Sequence, residues 1–222
     1  MKSIYDSAWH HPFVAYVVGL GLLWAIARRL PFLYAYLVVF LVEILADACA
    51  TGGWSPIPLG TTAYTVFSVV FIVLGDFRYF VLAERVTRPD EPLVRALRFA
   101  TPISLVIPVV TGVMTRTIPA MRDDRVLYAV YESAMTVLVL ALAHRRFGRR
   151  AVDEASIRWI REVSYLFAGL YAGWAACDML ILAGFDFAHV LRIVPNVAYY
   201  GAFLPFVLWR APASWKDVRT AG

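Results

Sequence analysis

Seven long apolar stretches constrain this chain more than any other feature: residues 9–27, 31–50, 58–82, 99–117, 126–144, 163–184 and 190–209. Each comes close to or exceeds the roughly 20 residues that an α-helix needs to cross a hydrocarbon core. In lipid a backbone must satisfy its own hydrogen bonds, which selects the helix for such a stretch. The sequence therefore predicts an all-α fold, a bundle of seven transmembrane helices forming a single domain over residues 1–222. Hydrophobic residues make up 61% of the chain, against roughly 45–50% in soluble domains, so a core alone does not account for them.

The ends of these stretches carry the orientation. Arg28, Arg29, Arg85, Arg88, Arg95, Arg98, Arg145, Arg146, Arg149, Arg150, Arg158, Arg161, Arg210, Lys216 and Arg219 all fall on one side. Only Lys2, Arg116, Arg122, Arg125 and Arg192 fall on the other, and Arg78 lies inside a span. Basic residues concentrate on the cytoplasmic side. The N-terminus is thus expected outside and the C-terminus in the cytoplasm, in a bacterial inner membrane. Trp9 and Trp54 mark outer boundaries, Trp159, Trp209 and Trp215 inner ones, and Trp174 lies mid-span. Ala25-Ile26-Ala27 has the look of a cleavage site, but Arg28-Arg29 follows at once as a stop-transfer flank would, so the first helix is read as retained.

The formal net charge of +5 sits beside apolar spans. It points to anionic lipid headgroups as partners and not to nucleic acid. Cys49 and Cys177 have no metal or disulfide spacing and are read as small buried hydrophobes.

Charged side chains in hydrocarbon cost about 2.5–3.5 kcal/mol each on insertion scales and normally face a bundle interior. Glu43, Asp47, Asp76, Arg78, Glu132 and Asp178 occupy such positions, joined by Asn196. Helical spacing aligns Tyr36, Phe40, Glu43 and Asp47 on one face, and Tyr171, Trp174 and Asp178 on another. Asn196 comes beside Tyr199 and Tyr200. Counting about 1.5 Å per residue places Glu43, Asp47, Glu132, Asp178 and Asn196 in the outer half of the membrane and Asp76 in the inner half. With no compensating basic residue nearby except Arg78, the expectation is an acid-rich, outward-facing pocket in which at least one carboxyl group is protonated.

The only lysines, Lys2 and Lys216, lie outside the spans, which excludes a retinal Schiff base. No His-Glu-x-x-His zinc motif and no Gly-x-Ser-x-Gly elbow is present, and neither metal nor cofactor is expected.

Phe71-Ile72-Val73-Leu74-Gly75-Asp76 is similar to the apolar-Gly-Asp motif of the YhhN-type lysoplasmalogenase family. Asp178-Met179-Leu180-Ile181-Leu182-Ala183 resembles that family's later Asp-x-x-x-x-Ala stretch, and Tyr199-Tyr200 its closing tyrosine pair. The resemblance implies hydrolysis of the vinyl ether of lysoplasmalogens, with Asp76 and Asp178 as acid–base pair.

Three functions follow from the buried acids. The first is an intramembrane enzyme acting on a lipid or isoprenoid, by ether-lipid hydrolysis or terpene-type cyclisation. Asp178, Glu43, Asp47 and Asp76 would be its catalytic acids, and Glu132, Asn196, Tyr171, Trp174, Tyr199 and Tyr200 would contact substrate. The second is a proton- or cation-coupled small-solute transporter or channel that uses the same acidic pocket. The third is a seven-helix receptor or assembly subunit.

Overall fold

The computed structural model describes residues 1–7, 10–29, 34–88, 90–151 and 153–212, with side chains at 1–7, 12–22, 36–88, 90–151 and 153–212. The side chains of Trp9, Trp24, Arg28, Arg29, Trp215, Lys216 and Arg219, and the Ala25-Ile26-Ala27 signal, lie outside the described set. All regular secondary structure among the described residues is helical, without strands. In chain order the helices are α1 (Lys2–Asp6), α2 (His10–Arg29), α3 (Tyr34–Thr51), α4 (Thr62–Thr87), α5 (Leu93–Thr117), α6 (Asp124–Leu142), α7 (Gly148–Arg150), α8 (Glu154–Leu182), α9 (Ala188–Leu191), α10 (Ile193–Gly201) and α11 (Phe203–Arg210). A π-turn over Ala143–Phe147 joins α6 to α7.

Among the described residues, four segments are long and apolar enough to cross a membrane: α4, α5, α8 and the continuous stretch Asp124–Arg150. The pair Ala188–Gly201 and Phe203–Arg210, bent by 50°, makes a fifth if taken as one span. Their surfaces suit lipid. On α5, Val109 is 59% and Val113 57% exposed, whereas Ser104 and Thr111 are buried. Apolar residues outside and polar ones inside invert the arrangement of a soluble helix.

Local chemistry sets the boundaries. Asp123 caps α6 by accepting from the backbone N–H of Arg125 at 2.8 Å and of Val126 at 3.3 Å. Asp153 caps α8, accepting from the Ser156 N–H and its hydroxyl, both at 2.8 Å. Such side chains replace the intrahelical acceptors that a first turn lacks. At the other end of α8, Gly184 takes φ +90°. Its N–H donates to the Ile181 carbonyl at 2.9 Å and that of Phe185 to Leu180 at 3.0 Å, the paired bonds of a Schellman stop.

The chain divides into two compact units. Unit 1 comprises Met1–Asp6 and Val73–Pro195. Its core is the seam between α6 and α8, with Met135, Val139, Ala143 and Phe147 on one side and Ile160, Val163 and Phe167 on the other, all fully buried. Tyr79 from α4 stacks on Phe167 at 4.5 Å and shares a hydrogen bond of 2.8 Å with Ser164. Unit 2 comprises the described residues of Ser7–Ile72 and Asn196–Gly222. There α2 and α3 pack closely at Gly19, where a Cβ would come within 3.1 Å of Leu45.

The cysteines divide. Cys177 is buried as expected, but Cys49 is exposed on α3, and its sulfur lies 2.9 Å from the Tyr16 hydroxyl. An apolar span carries no signal of which of its faces meets lipid at a given residue, which is why the two looked alike.

Candidate functional site

Within unit 1, buried polar groups follow the α6–α8 seam. On α8, Ser164, Tyr171 and Asp178 recur every seven residues, and all three are buried. On α6 and its continuation, Arg125, Glu132 and Arg146 keep the same register, with Val139 between the last two. Seven residues are close to two helical turns, about 10 Å, so each helix presents these groups on one side.

At the centre stands Asp76 of α4, which is fully buried. Each of its carboxylate oxygens accepts a phenolic hydroxyl, one from Tyr131 on α6 and the other from Tyr171 on α8. Three helices thus meet at one carboxyl group. Trp174 packs edge-on against Tyr171 at 5.4 Å. Arg78, also fully buried, lies two residues further along α4.

Two turns along α8 from Tyr171 lies a second cluster. Arg125 donates to one oxygen of Asp178 at 3.0 Å, and Arg192 approaches the other at 2.5 Å. Arg192 also donates to Glu132 at 2.9 Å and to the Tyr5 hydroxyl at 3.2 Å. Tyr5, from α1, also lies beneath the Arg125 guanidinium, 5.8 Å from its ring centre. Two arginines therefore balance two carboxylates, with Asp178 fully buried and Arg192 only 7% exposed.

This corrects the expectation that Arg78 would be the only basic group among the buried acids. Arg125 and Arg192 look like connection residues because they stand near the ends of apolar stretches. An arginine side chain is long enough to fold back into the interior from there. His189 is likewise mostly buried on α9, its Nδ1 lying 3.1 Å from the Asp186 carbonyl oxygen. Tyr131, Tyr5, Arg125 and Arg192 were not among the candidate residues. The seven-residue spacing from Arg125 to Glu132 was a usable signal for the first arginine, whereas the contact of Tyr5 leaves no trace in sequence.

Unit 2 holds the other expected site residues. Asp47 is buried on α3 and accepts from Thr51 at 2.6 Å and from Tyr200 at 2.5 Å. Tyr199 is buried, its ring against that of Tyr200 at 5.1 Å, and Glu43 and Asn196 are half-buried. Of the candidate residues, Asp76, Glu132, Tyr171, Trp174 and Asp178 therefore belong to unit 1, and Glu43, Asp47, Asn196, Tyr199 and Tyr200 to unit 2. Among the described residues, no group of three His, Cys, Asp or Glu side chains is placed to hold a metal ion.

Compared with known proteins, the chain matches no family model, no curated protein and no solved structure.

Proposed function

We propose that this protein is a seven-span carrier of the bacterial inner membrane, N-terminus outside and C-terminus cytoplasmic, that couples proton movement to passage of a small solute or cation. Asp76 is the proton-exchanging group in this reading. The observation that carries it is the bracketing of one fully buried carboxyl group by two phenols from different helices. A carboxyl group held in this way can take a proton while keeping its neighbours, because a phenol oxygen accepts as well as donates. When protonated Asp76 donates to one tyrosine, that tyrosine turns its own hydrogen toward another acceptor. Loss of that proton reverses the rotation, so Asp76 exchanges its proton with both neighbours still in place.

The arginine cluster supplies a gate. Tyr131 and Glu132 are consecutive on α6, one bonded to Asp76 and the other to Arg192. Any movement of α6 that releases one contact therefore strains the other. Ionisable groups inside a bundle commonly mark such relays.

The test is proton flux into sealed liposomes under an imposed potential. Wild-type protein is expected to conduct and Asp76→Asn to be silent. Equal flux from both would end the proposal.

A second reading, acid catalysis on a lipid or isoprenoid, draws support from Trp174 beside Tyr171, an aromatic wall suited to a cationic intermediate. Asp76 would be its acid. Asp178 is less suited, since both of its oxygens face guanidinium groups. The lysoplasmalogenase resemblance pairs Asp76 with Asp178, and the two share unit 1, linked through two turns of α8. Turnover of a lysoplasmalogen in detergent, lost in Asp76→Asn, would favour this reading over transport.

A further inference from the structure

Arg85, Arg88, Arg95, Arg146, Arg150 and Arg161 gather near the ends of α4, α5, α7 and α8 in unit 1. Arg88 and Arg95 share a single carboxylate, Glu91, at 2.5 and 2.9 Å. Arg146 grips the buried Glu84 through two nitrogens, at 3.1 and 2.7 Å, and lies 3.8 Å above the ring of Phe99. Arg150 feels the charges of Arg146, Arg88 and Arg95 against that of Glu84. The Arg161 guanidinium lies over Gly148, 3.3 Å from where a Cβ would stand. Among the described residues, Glu84 and Glu91 are the carboxylates seen to pair with these arginines, and the arginines outnumber them.

The backbone is shaped to hold this crowding. Arg85 donates to the carbonyls of Glu91, at 2.5 Å, and Arg88, at 3.4 Å, which closes the turn between α4 and α5. The π-turn places Arg146 over Glu84, and the Gly148 N–H completes it by donating to the Ala143 carbonyl. A Cβ at Gly148 would come 2.9 Å from that carbonyl oxygen, so the position admits only glycine without a shift. π-turns inside helices occur frequently at functional sites. Like charges are held together here by fixed structure, which leaves the place open to an anion.

We propose that this arginine cluster binds the phosphate of an anionic membrane lipid. Arginine presents planar forks that match phosphate oxygens. Leu93 and Val94, each 53% exposed, adjoin Arg95, itself 60% exposed, so apolar surface lies beside the charge as a lipid's chains require. Basic pockets between membrane helices on the cytoplasmic side recognise such headgroups. The site is separate from the Asp76 and Arg192 clusters and does not depend on what they do.

The experiment measures binding of a fluorescent phosphatidylglycerol to the full chain in zwitterionic micelles, with a phosphatidylcholine analogue in parallel. Wild-type protein is expected to prefer phosphatidylglycerol. Arg95→Gln with Arg150→Gln should weaken it by roughly 25-fold, about fivefold for each arginine. Arg116→Gln with Arg122→Gln, exposed at and just beyond the opposite end of α5, should change nothing. Should the glutamine pair lower the unfolding temperature, Arg95→Lys with Arg150→Lys, which keeps the charge, must recover most of the affinity. Equal binding of the two lipids, or unchanged binding in the glutamine pair, would overturn the proposal. Displacement of the lipid by millimolar inorganic phosphate would assign the site to a soluble phosphate and overturn the lipid assignment.

Discussion

The Arg192 guanidinium, from just past the end of α9, meets the Asp178 carboxylate of α8 at 2.5 Å. The same guanidinium holds Glu132 on α6 at 2.9 Å, so one side chain ties three segments of unit 1 together. An ion pair this deeply buried matters less for its own attraction than for what its loss leaves behind, an unbalanced charge without water.

Removing one partner should therefore be costly. Asp178→Ala or Arg192→Ala is expected to destabilise by about 3–5 kcal/mol, and the double substitution by less than the two singles combined. Denaturant unfolding in mild detergent, analysed as a double-mutant cycle, checks this. Additive single effects would show that the pair does not act as a unit.

At Asp76 the tyrosines should matter separately. Tyr131→Phe and Tyr171→Phe each leave one buried carboxylate oxygen short of a donor, which costs about 1–3 kcal/mol. Thermal unfolding reports that loss. If Asp76 exchanges protons as proposed, each substitution should also slow proton flux in liposomes while leaving the protein folded.

Asp153 offers a test with a defined pH sense. Hydrogen bonds from the Ser156 backbone and hydroxyl hold its carboxyl below the ordinary carboxylate range. A group whose value is depressed on folding stabilises above its unfolded value, about 3.9, and loses that contribution as pH falls through the folded value. Asp153→Ala should cost about 1 kcal/mol near neutrality. The gap to wild type should stay constant down to about pH 5 and close in stronger acid. Unfolding temperatures of both proteins across that range decide it.

Gly184 ends α8 with φ +90°. Gly184→Ala forces a Cβ into the left-handed region and should cost about 1–2 kcal/mol, with Gly184→Asn milder. Similar unfolding midpoints for all three proteins would show that the stop is not needed.

Hydropathy and length are local properties of a chain, so several helices could be placed directly. Yet α8 begins nine residues before the 163–184 stretch, and the 190–209 stretch is broken into α9, α10 and α11. The apolar stretch at 99–117 lies within α5, and that at 126–144 coincides with α6 to within two residues. Caps and stops are equally local: Asp123, Asp153 and Gly184 act on neighbours a few residues away. The presence of Asp76, Glu132 and Asp178 in apolar surroundings was also legible, because a charge stands out against such a background.

Partner choice was not legible. Whether Asp76 meets Arg78, two residues away, or Tyr171, ninety-five residues away, depends on how α4, α6 and α8 rotate against one another. That rotation is set by the packing of Met135, Phe147, Phe167 and their neighbours, which no single helix encodes. Arg192 stands in sequence as a residue near a helix end. It becomes the centre of a buried network only because its flexible stem can turn inward once α6 and α8 have placed two carboxylates within reach.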